Sequence, residues 1–294
     1  MIGRAVLGLL GPHEDTHAVS RHPQPAVPGV TWWKQDLSEP GAAARLMHRT
    51  VPEVVIHLAG EVRGERSIDA VDATLRANLV ATVEILEAAA RLACRRVVLS
   101  GSLLEEPTGS AQSTPPSPYG ASRWAASGYA RMFHALFGTP VVILRPSFAY
   151  GPGQERTKLV PHVITKLLAG ESPELSSGER MIDFVFAPDV AEAYVAAAQA
   201  VGVEGSTIDI GVGHLTSVRD VVETVVELLG PTNGAPAFGR VKVRPLEQQI
   251  EVDPHVAAAA LGWRARTPLV EGLRQTIDWY RGDAQPETAP ATTR

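Results

Sequence analysis

Apolar residues recur in two rhythms along this chain, and the rhythms alternate. The opening stretch places Ile2, Ala5, Val6, Leu9 and Leu10 on one helix face. Gly11-Pro12 ends that helix. Short strands follow over 16–20, 30–33, 54–57, 97–100 and 141–144, the last three with apolar runs at their centres. Residues 40–50, 67–93 and 118–138 carry helical spacing, with Leu75, Leu79, Val83 and Leu86 as the stripe of the middle segment. Strands that are apolar at every position belong to sheets buried on both faces. The alternation therefore predicts an α/β fold, a Rossmann-like doubly wound parallel sheet. Past Pro146 the rhythm loosens. Helices are expected over 158–169, 188–201, 216–229 and 268–281, with strands near 183–186 and 207–210. The predicted division is a first lobe over 1–146, a smaller α/β lobe over 147–282 interleaved with it, and a disordered Pro/Thr/Ala-rich tail over 283–294.

The bulk numbers narrow the function classes. A chain of 294 residues, 45% of them hydrophobic, buries a sizeable core. A net charge of −5 without a basic run points away from nucleic acid as a partner. The lone cysteine, Cys94, rules out a disulfide framework and reads as a small apolar residue inside a helix. No apolar run reaches membrane length and no signal-peptide pattern opens the chain, so a cytoplasmic protein without a membrane partner is expected. His13 and His17 flank a loop rather than share a helix face, and no metal site is expected.

Candidate chemistry gathers at the predicted strand ends, where ligands bind in doubly wound sheets. In "SPYGASRW", residues 117–124, Tyr119 and Arg123 lie four apart on one helix face. A cation there favours phenolate and suits the tyrosine for proton exchange with an alcohol or carbonyl. A surface pair on a helix is the alternative reading of that spacing alone. "VVLSGSLLEE" (97–106) puts Ser100 and Ser102 past a strand end, and "VVIHLAG" (54–60) does the same for Leu58, Ala59 and Gly60. "NLVAT" (78–82) follows on a helix, and "LRPSFAYGPGQ" (144–154) closes the first lobe. In this order, together with "GERMIDFVFAPDVAEAY" (178–194), "DIGVGHLTSVRDVVE" (209–223) and "ALGWRARTPLVEGLRQTIDWY" (260–280), these segments resemble the extended short-chain dehydrogenase/reductase family. That group comprises nucleotide-sugar epimerases, dehydratases and reductases, and the resemblance covers nearly the whole chain.

The resemblance implies roles position by position. The family opens with a strand and a GxxGxxG turn that holds a pyrophosphate at a helix N-terminus. "MIGR" stands where the turn ends, so Ile2 and Gly3 match its last positions, and the strand and two glycines before them are absent from 1–294. The expectation is a true start upstream of Met1. Tyr119 is similar to the catalytic acid/base, and Ser102 to the residue that orients the same substrate oxygen. Arg123 replaces the usual lysine, which keeps the charge but presents a bulkier planar fork. Ser20-Arg21 resembles a 2′-phosphate site and implies NADP, with NAD and a solvated Arg21 as the alternative. Asp36-Leu37, Asn78, Ser100 and Pro146-Ser147 match further positions lining the cofactor. Leu103-Leu104 stand where dehydratases carry Asp-Glu, while Glu105 and Glu106 are expected to face away, which disfavours dehydration. Leu103, Arg180 and Arg244 are candidates for contact with a nucleotide-diphosphate sugar, the arginines for its diphosphate; surface arginines are the alternative. The implied activity is NADPH-dependent reduction of a keto group of a nucleotide-activated deoxysugar. A nucleotide-sugar epimerase with retained NAD is the rival, and a non-catalytic binding protein the third reading. A homodimer through the helices over 67–93 and 118–138 is implied by the same resemblance.

Overall fold

A computed structural model describes residues 1–11, 15–62, 65–105, 114–243 and 249–283. Chain order in the first lobe is α1 (Ile2–Leu10), β1 (Thr16–Ser20), β2 (Val30–Lys34), α2 (Ala42–Thr50), β3 (Val54–His57), α3 (Ala70–Thr74), a π-helical segment (Leu75–Val80), α4 (Ala81–Leu92), β4 (Arg96–Ser100), α5 (Pro118–Phe137) and β5 (Val141–Pro146). The second lobe contributes β6 (Phe148–Tyr150), α6 (Leu159–Leu168), β7 (Met181–Phe186), α7 (Ala187–Gln199), β8 (Thr207–Ile210), β9 (Leu215–Ser217), α8 (Val218–Leu229), α9 (Pro254–Leu261) and α10 (Leu269–Asp283).

The main sheet is parallel in the order β3-β4-β5-β8. The central positions of β3, β4 and β5 are apolar because successive side chains enter different cores, while β8 alternates, with Ile208 and Ile210 buried. Val98, Val142 and Leu144 pack with Val6 of α1 and with Val190 and Tyr194 of α7. Val97, Leu99, Val141 and Ile143 pack with Met47, Ile85, Leu86 and Phe133 of α2, α4 and α5. This is the two-sided burial that the apolar runs predict.

The expected single sheet is divided. β1 and β2 pair in parallel as a separate ribbon. Among the described residues no strand pairs with the other edge of β1 or of β3. A cavity of about 130 Å³ lies there, lined by His17, Ala18 and Val19 on one side and by Val54, Val55, Ile56 and His57 on the other.

Three further expectations need correction. The helix over 67–93 is broken by the π-helical segment, and Leu75 is 43% exposed. The buried stripe instead runs through Thr74, Asn78, Ala81, Ile85, Leu86 and Ala89. Cys94 lies past the end of α4, where its thiol donates to Pro52 O at 3.0 Å and burial pushes its pKa up. Leu9 remains 47% exposed, whereas Val6 carries the buried face of α1. The strands β6 and β9 and the helix α9 are additions to the predicted elements. His13, Glu106, Arg244 and the tail from 284 lie outside the described residues.

The second lobe has its own core. Tyr150, Ile164, Leu167, Phe184, Leu273 and Ile277 pack between the β6-β7-β9 sheet and α6, α8 and α10. β8 returns to the first sheet beside β5. Asp183 latches the lobes: its carboxylate accepts from Val212 N and Gly213 N, both at 2.9 Å, and from Ser147 Oγ at 3.4 Å. No described helix is long and apolar enough to cross a membrane.

Candidate active site

The site grows from the first turn of α5. Ser117 caps it, accepting from Gly120 N at 3.1 Å, and Pro118 occupies the first helical position. Tyr119, Arg123 and Ser127 follow at i, i+4 and i+8, so one helix face carries all three. Arg123 is only 3% exposed. Its Nη1 donates to Ser100 O at the end of β4 at 2.8 Å, and its guanidinium carbon lies 5.6 Å from the Tyr119 ring centroid. The Ser102 loop rests on the same turn, since a Cβ on Gly120 would stand 2.6 Å from Leu104 O. Ser102 is buried, and its Oγ accepts from Leu104 N at 3.2 Å. The structure therefore brings Ser100, Ser102, Tyr119 and Arg123 together at the carboxyl ends of the strands.

The turn after β3 closes the other side. Asn78 accepts from Glu61 N at 2.8 Å and donates to Glu61 O and Ser122 Oγ, each at 3.0 Å. That clamp ties the Gly60 turn to α5. Any side chain at Gly60 would collide with Arg123 Nη2 and stand 2.6 Å from Asn78 Oδ1. His57 is buried below, bonded to Thr82 Oγ1 at 3.2 Å. Burial, and then the Arg123 charge, push its imidazole down to about 3, so it is neutral at neutral pH.

The remaining predicted residues spread along the strand ends. Gly3, in α1, stands against Leu58, whose Cδ1 would lie 3.8 Å from a Cβ there. Ile2 packs against the core and Ala59 is exposed. Ser20 ends β1 and accepts from His22 N at 3.2 Å and Gln24 Nε2 at 3.1 Å, leaving Arg21 exposed. Asp36 accepts from Ser38 N and Oγ, which holds its carboxyl below the usual range, with a smaller contribution from Arg21. Leu37 lines the cavity between β1 and β3. Pro146 ends β5, and Ser147 N donates to Ile210 O at 2.8 Å. Leu103 is half-buried in the Ser102 loop. Arg180 belongs to the second lobe, where its carbonyl accepts from Val218 N at 2.9 Å.

One expectation fails outright. Glu105 turns inward beneath Ser102 and is 2% exposed. Its Oε1 accepts from Ser102 N at 2.5 Å and its Oε2 from Ser127 Oγ at 2.7 Å. Sequence reasoning also missed Tyr194, fully buried on α7, whose phenol burial pushes well up and which faces Ser100, Arg123, Tyr119 and Glu105. Its only signal was a place on the buried face of a helix.

A phenol, a buried cation and a serine loop at the ends of parallel strands can exchange a proton with a hydroxyl or carbonyl held there. Comparison with known proteins gives the family. The family model described as "NAD dependent epimerase/dehydratase family" matches residues 1–211. A dTDP-glucose 4,6-dehydratase of Xanthomonas campestris pv. campestris is 31% identical over 275 residues, covering 84% of this chain and 78% of that protein. A UDP-glucose 4-epimerase of Mycolicibacterium smegmatis is 30% identical over 251 residues, covering 80% and 78%. Among solved structures, MoeE5 in complex with UDP-glucuronic acid and NAD superposes with a TM-score of 0.82 at 28% identity, covering 96% of this chain and 95% of that one. The Thermus thermophilus UDP-glucose 4-epimerase, in complex with NAD, shares the fold with a TM-score of 0.84 at 24% identity and 96% coverage of both chains. With a family match over more than two thirds of its length and relatives at 30–31% identity over most of both chains, this chain belongs to the NAD-dependent epimerase/dehydratase family.

Proposed function

We propose that this protein reduces a keto group, at C4, of a nucleotide-activated deoxysugar, with NADPH as the reductant. What carries the reading is the convergence of Tyr119, Arg123 and the Ser102 loop on one end of α5. Tyr119 gives a proton to the oxygen that gains charge during reduction, and Ser102 orients that oxygen. Arg123 supplies the fixed positive charge beside the phenol. Leu103 and Leu104 add neither the acid nor the base that elimination of water requires, so reduction without dehydration is favoured.

The residues fit the nicotinamide end of a dinucleotide. The Arg123 guanidinium lies between the end of β4 and the Gly60 turn, with Nη1 on Ser100 O and Nη2 against the space a side chain at Gly60 would fill. A ribose hydroxyl would be held by that fixed charge. When bound, the dinucleotide supplies the hydride. Exposed Arg21, with Ser20 already engaged by its own loop, supports a 2′-phosphate and hence NADP. At the pyrophosphate end, residues 1–294 offer the N-terminus of α1, with Gly3 closing on Leu58. Arg180 remains the proposed diphosphate contact of the second lobe, and a homodimer through α3, the π-helical segment and α5 would cover half-exposed Val71, Leu75, Val80, Trp124 and Tyr129.

A second reading, epimerisation with retained NAD, is favoured by the epimerase among the relatives and by NAD in the solved neighbours. The test follows NADPH absorbance with a nucleoside-diphosphate 4-keto-6-deoxyhexose. Oxidation of NADPH supports the reductase. Isomerisation of UDP-glucose without net cofactor use, and no oxidation, replaces it with the second reading.

A further inference from the structure

Glu105 is a buried carboxylate that the proposed chemistry does not use. It lies three residues past Ser102, and both of its oxygens are committed. Oε1 accepts from the Ser102 amide at 2.5 Å. Oε2 accepts from the Ser127 hydroxyl at 2.7 Å. The Glu105 amide in turn donates to Ser102 O at 3.1 Å, which closes the loop into a tight turn. The carboxylate fits because residue 101 is glycine: a Cβ there would stand 2.6 Å from Oε1 and 2.9 Å from Arg145 Cγ.

Ser127 is the third rung of the helix face that carries Tyr119 and Arg123. One carboxylate therefore bridges the loop that holds Ser102 to the helix that holds Tyr119. The arrangement is costly to keep. A buried carboxylate demands hydrogen bonds and nearby positive charge. Burial pushes the Glu105 carboxyl up, and the two hydrogen bonds and then the charges of Arg145 and Arg123 offset that in part. Arg145 is itself anchored, donating Nε and Nη2 to Asp209 at 2.6 and 3.0 Å. A merely space-filling position would be satisfied by an apolar side chain.

We infer that Glu105 is a positioning residue, which braces the Ser102 main chain against Ser127 and so fixes the Ser102 hydroxyl relative to the Tyr119 phenol. Its functional side rests on the reading of Ser102 and Tyr119 given above. Misplacing a reacting group by about 1 Å costs on the order of 100-fold in rate. Loss of the brace therefore acts on kcat rather than on sugar-nucleotide affinity.

Two measurements on the full chain test this. The first is amide hydrogen exchange, which needs no substrate. Glu105→Ala is expected to speed exchange at Ser102 by at least about tenfold while β4 and the body of α5 keep their protection. Glu105→Gln, which accepts from the same amide and donates to Ser127 Oγ, is expected to retain it. Ser127→Ala severs the second leg alone and moves the Ser102 amide in the same direction, so the comparison stands even if Glu105→Ala does not fold. The second is turnover, with UDP-glucose and a nucleoside-diphosphate 4-keto-6-deoxyhexose plus NADPH as probes. Glu105→Ala should lose about 10- to 100-fold in kcat with KM within about threefold, and Glu105→Gln should stay within about threefold of the parent. Unchanged Ser102 exchange in both Glu105→Ala and Ser127→Ala overturns the brace. So does a Glu105→Gln variant as impaired as the alanine one. If the parent turns over neither probe, the proposed activity falls, and the exchange comparison still decides the brace.

Discussion

Gly60 and Arg123 are best understood as one unit. The guanidinium is bulkier than the ammonium the family pattern carries, and it lies where a side chain at position 60 would stand. Gly60→Ala should therefore cost about 1–3 kcal/mol by overpacking. Arg123→Lys removes the nearer obstruction, so the double variant should be more stable than the sum of the two single changes predicts, as measured by urea unfolding. His57 makes a second prediction. Its folded pKa of about 3 lies below the ordinary value of 6.5, so the unfolded chain takes up the proton first. Its contribution is complete above pH 6.5 and is lost as pH falls toward 3. The stability of His57→Gln should therefore fall less steeply than the parent's as pH drops through that window, read by denaturant unfolding at several pH values; an unchanged slope would refute it. The spacing of Tyr119 and Arg123 was legible because helical periodicity is local. The inward turn of Glu105 was not, because it depends on room at Gly101 and on Ser127, which reaches it from a helix 22 residues further on.

At the scale of elements, the apolar runs marked the central strands to within two residues, since burial on both faces leaves no polar position to blur them. The π-helical segment escaped notice because one extra residue per turn leaves composition untouched. It also defeats a leucine stripe extrapolated at constant pitch, which is why Leu75 ends half-exposed. The segment aims Asn78 at the Glu61 main chain and at Ser122. Asn78→Ala should cost about 1–3 kcal/mol, because it leaves the buried Glu61 amide without its acceptor. Weaker dinucleotide binding should accompany that loss, checked by fluorescence titration with NADPH. Ser117→Ala should remove about 1 kcal/mol from the start of α5, seen as a lower urea midpoint with an unchanged slope.

On the scale of the whole molecule, the division of the parallel sheet dominates. A version of the chain preceded by one apolar strand and a glycine-rich turn should gain both thermal stability and NADPH affinity over residues 1–294, since among the described residues one edge of β1 and one edge of β3 have no paired strand. Equal affinity in both versions would assign the pyrophosphate to other groups. Those two edges have a further consequence, which concerns how molecules meet one another. The facing strands, Thr-His-Ala-Val-Ser and Val-Val-Ile-His, carry no proline, lysine or acidic residue. Such residues are the usual gatekeepers against strand-to-strand recruitment. With no partner strand among the described residues, such edges favour strand-to-strand association, so the turbidity of a solution of residues 1–294 should rise steeply with concentration while added salt does little to suppress it.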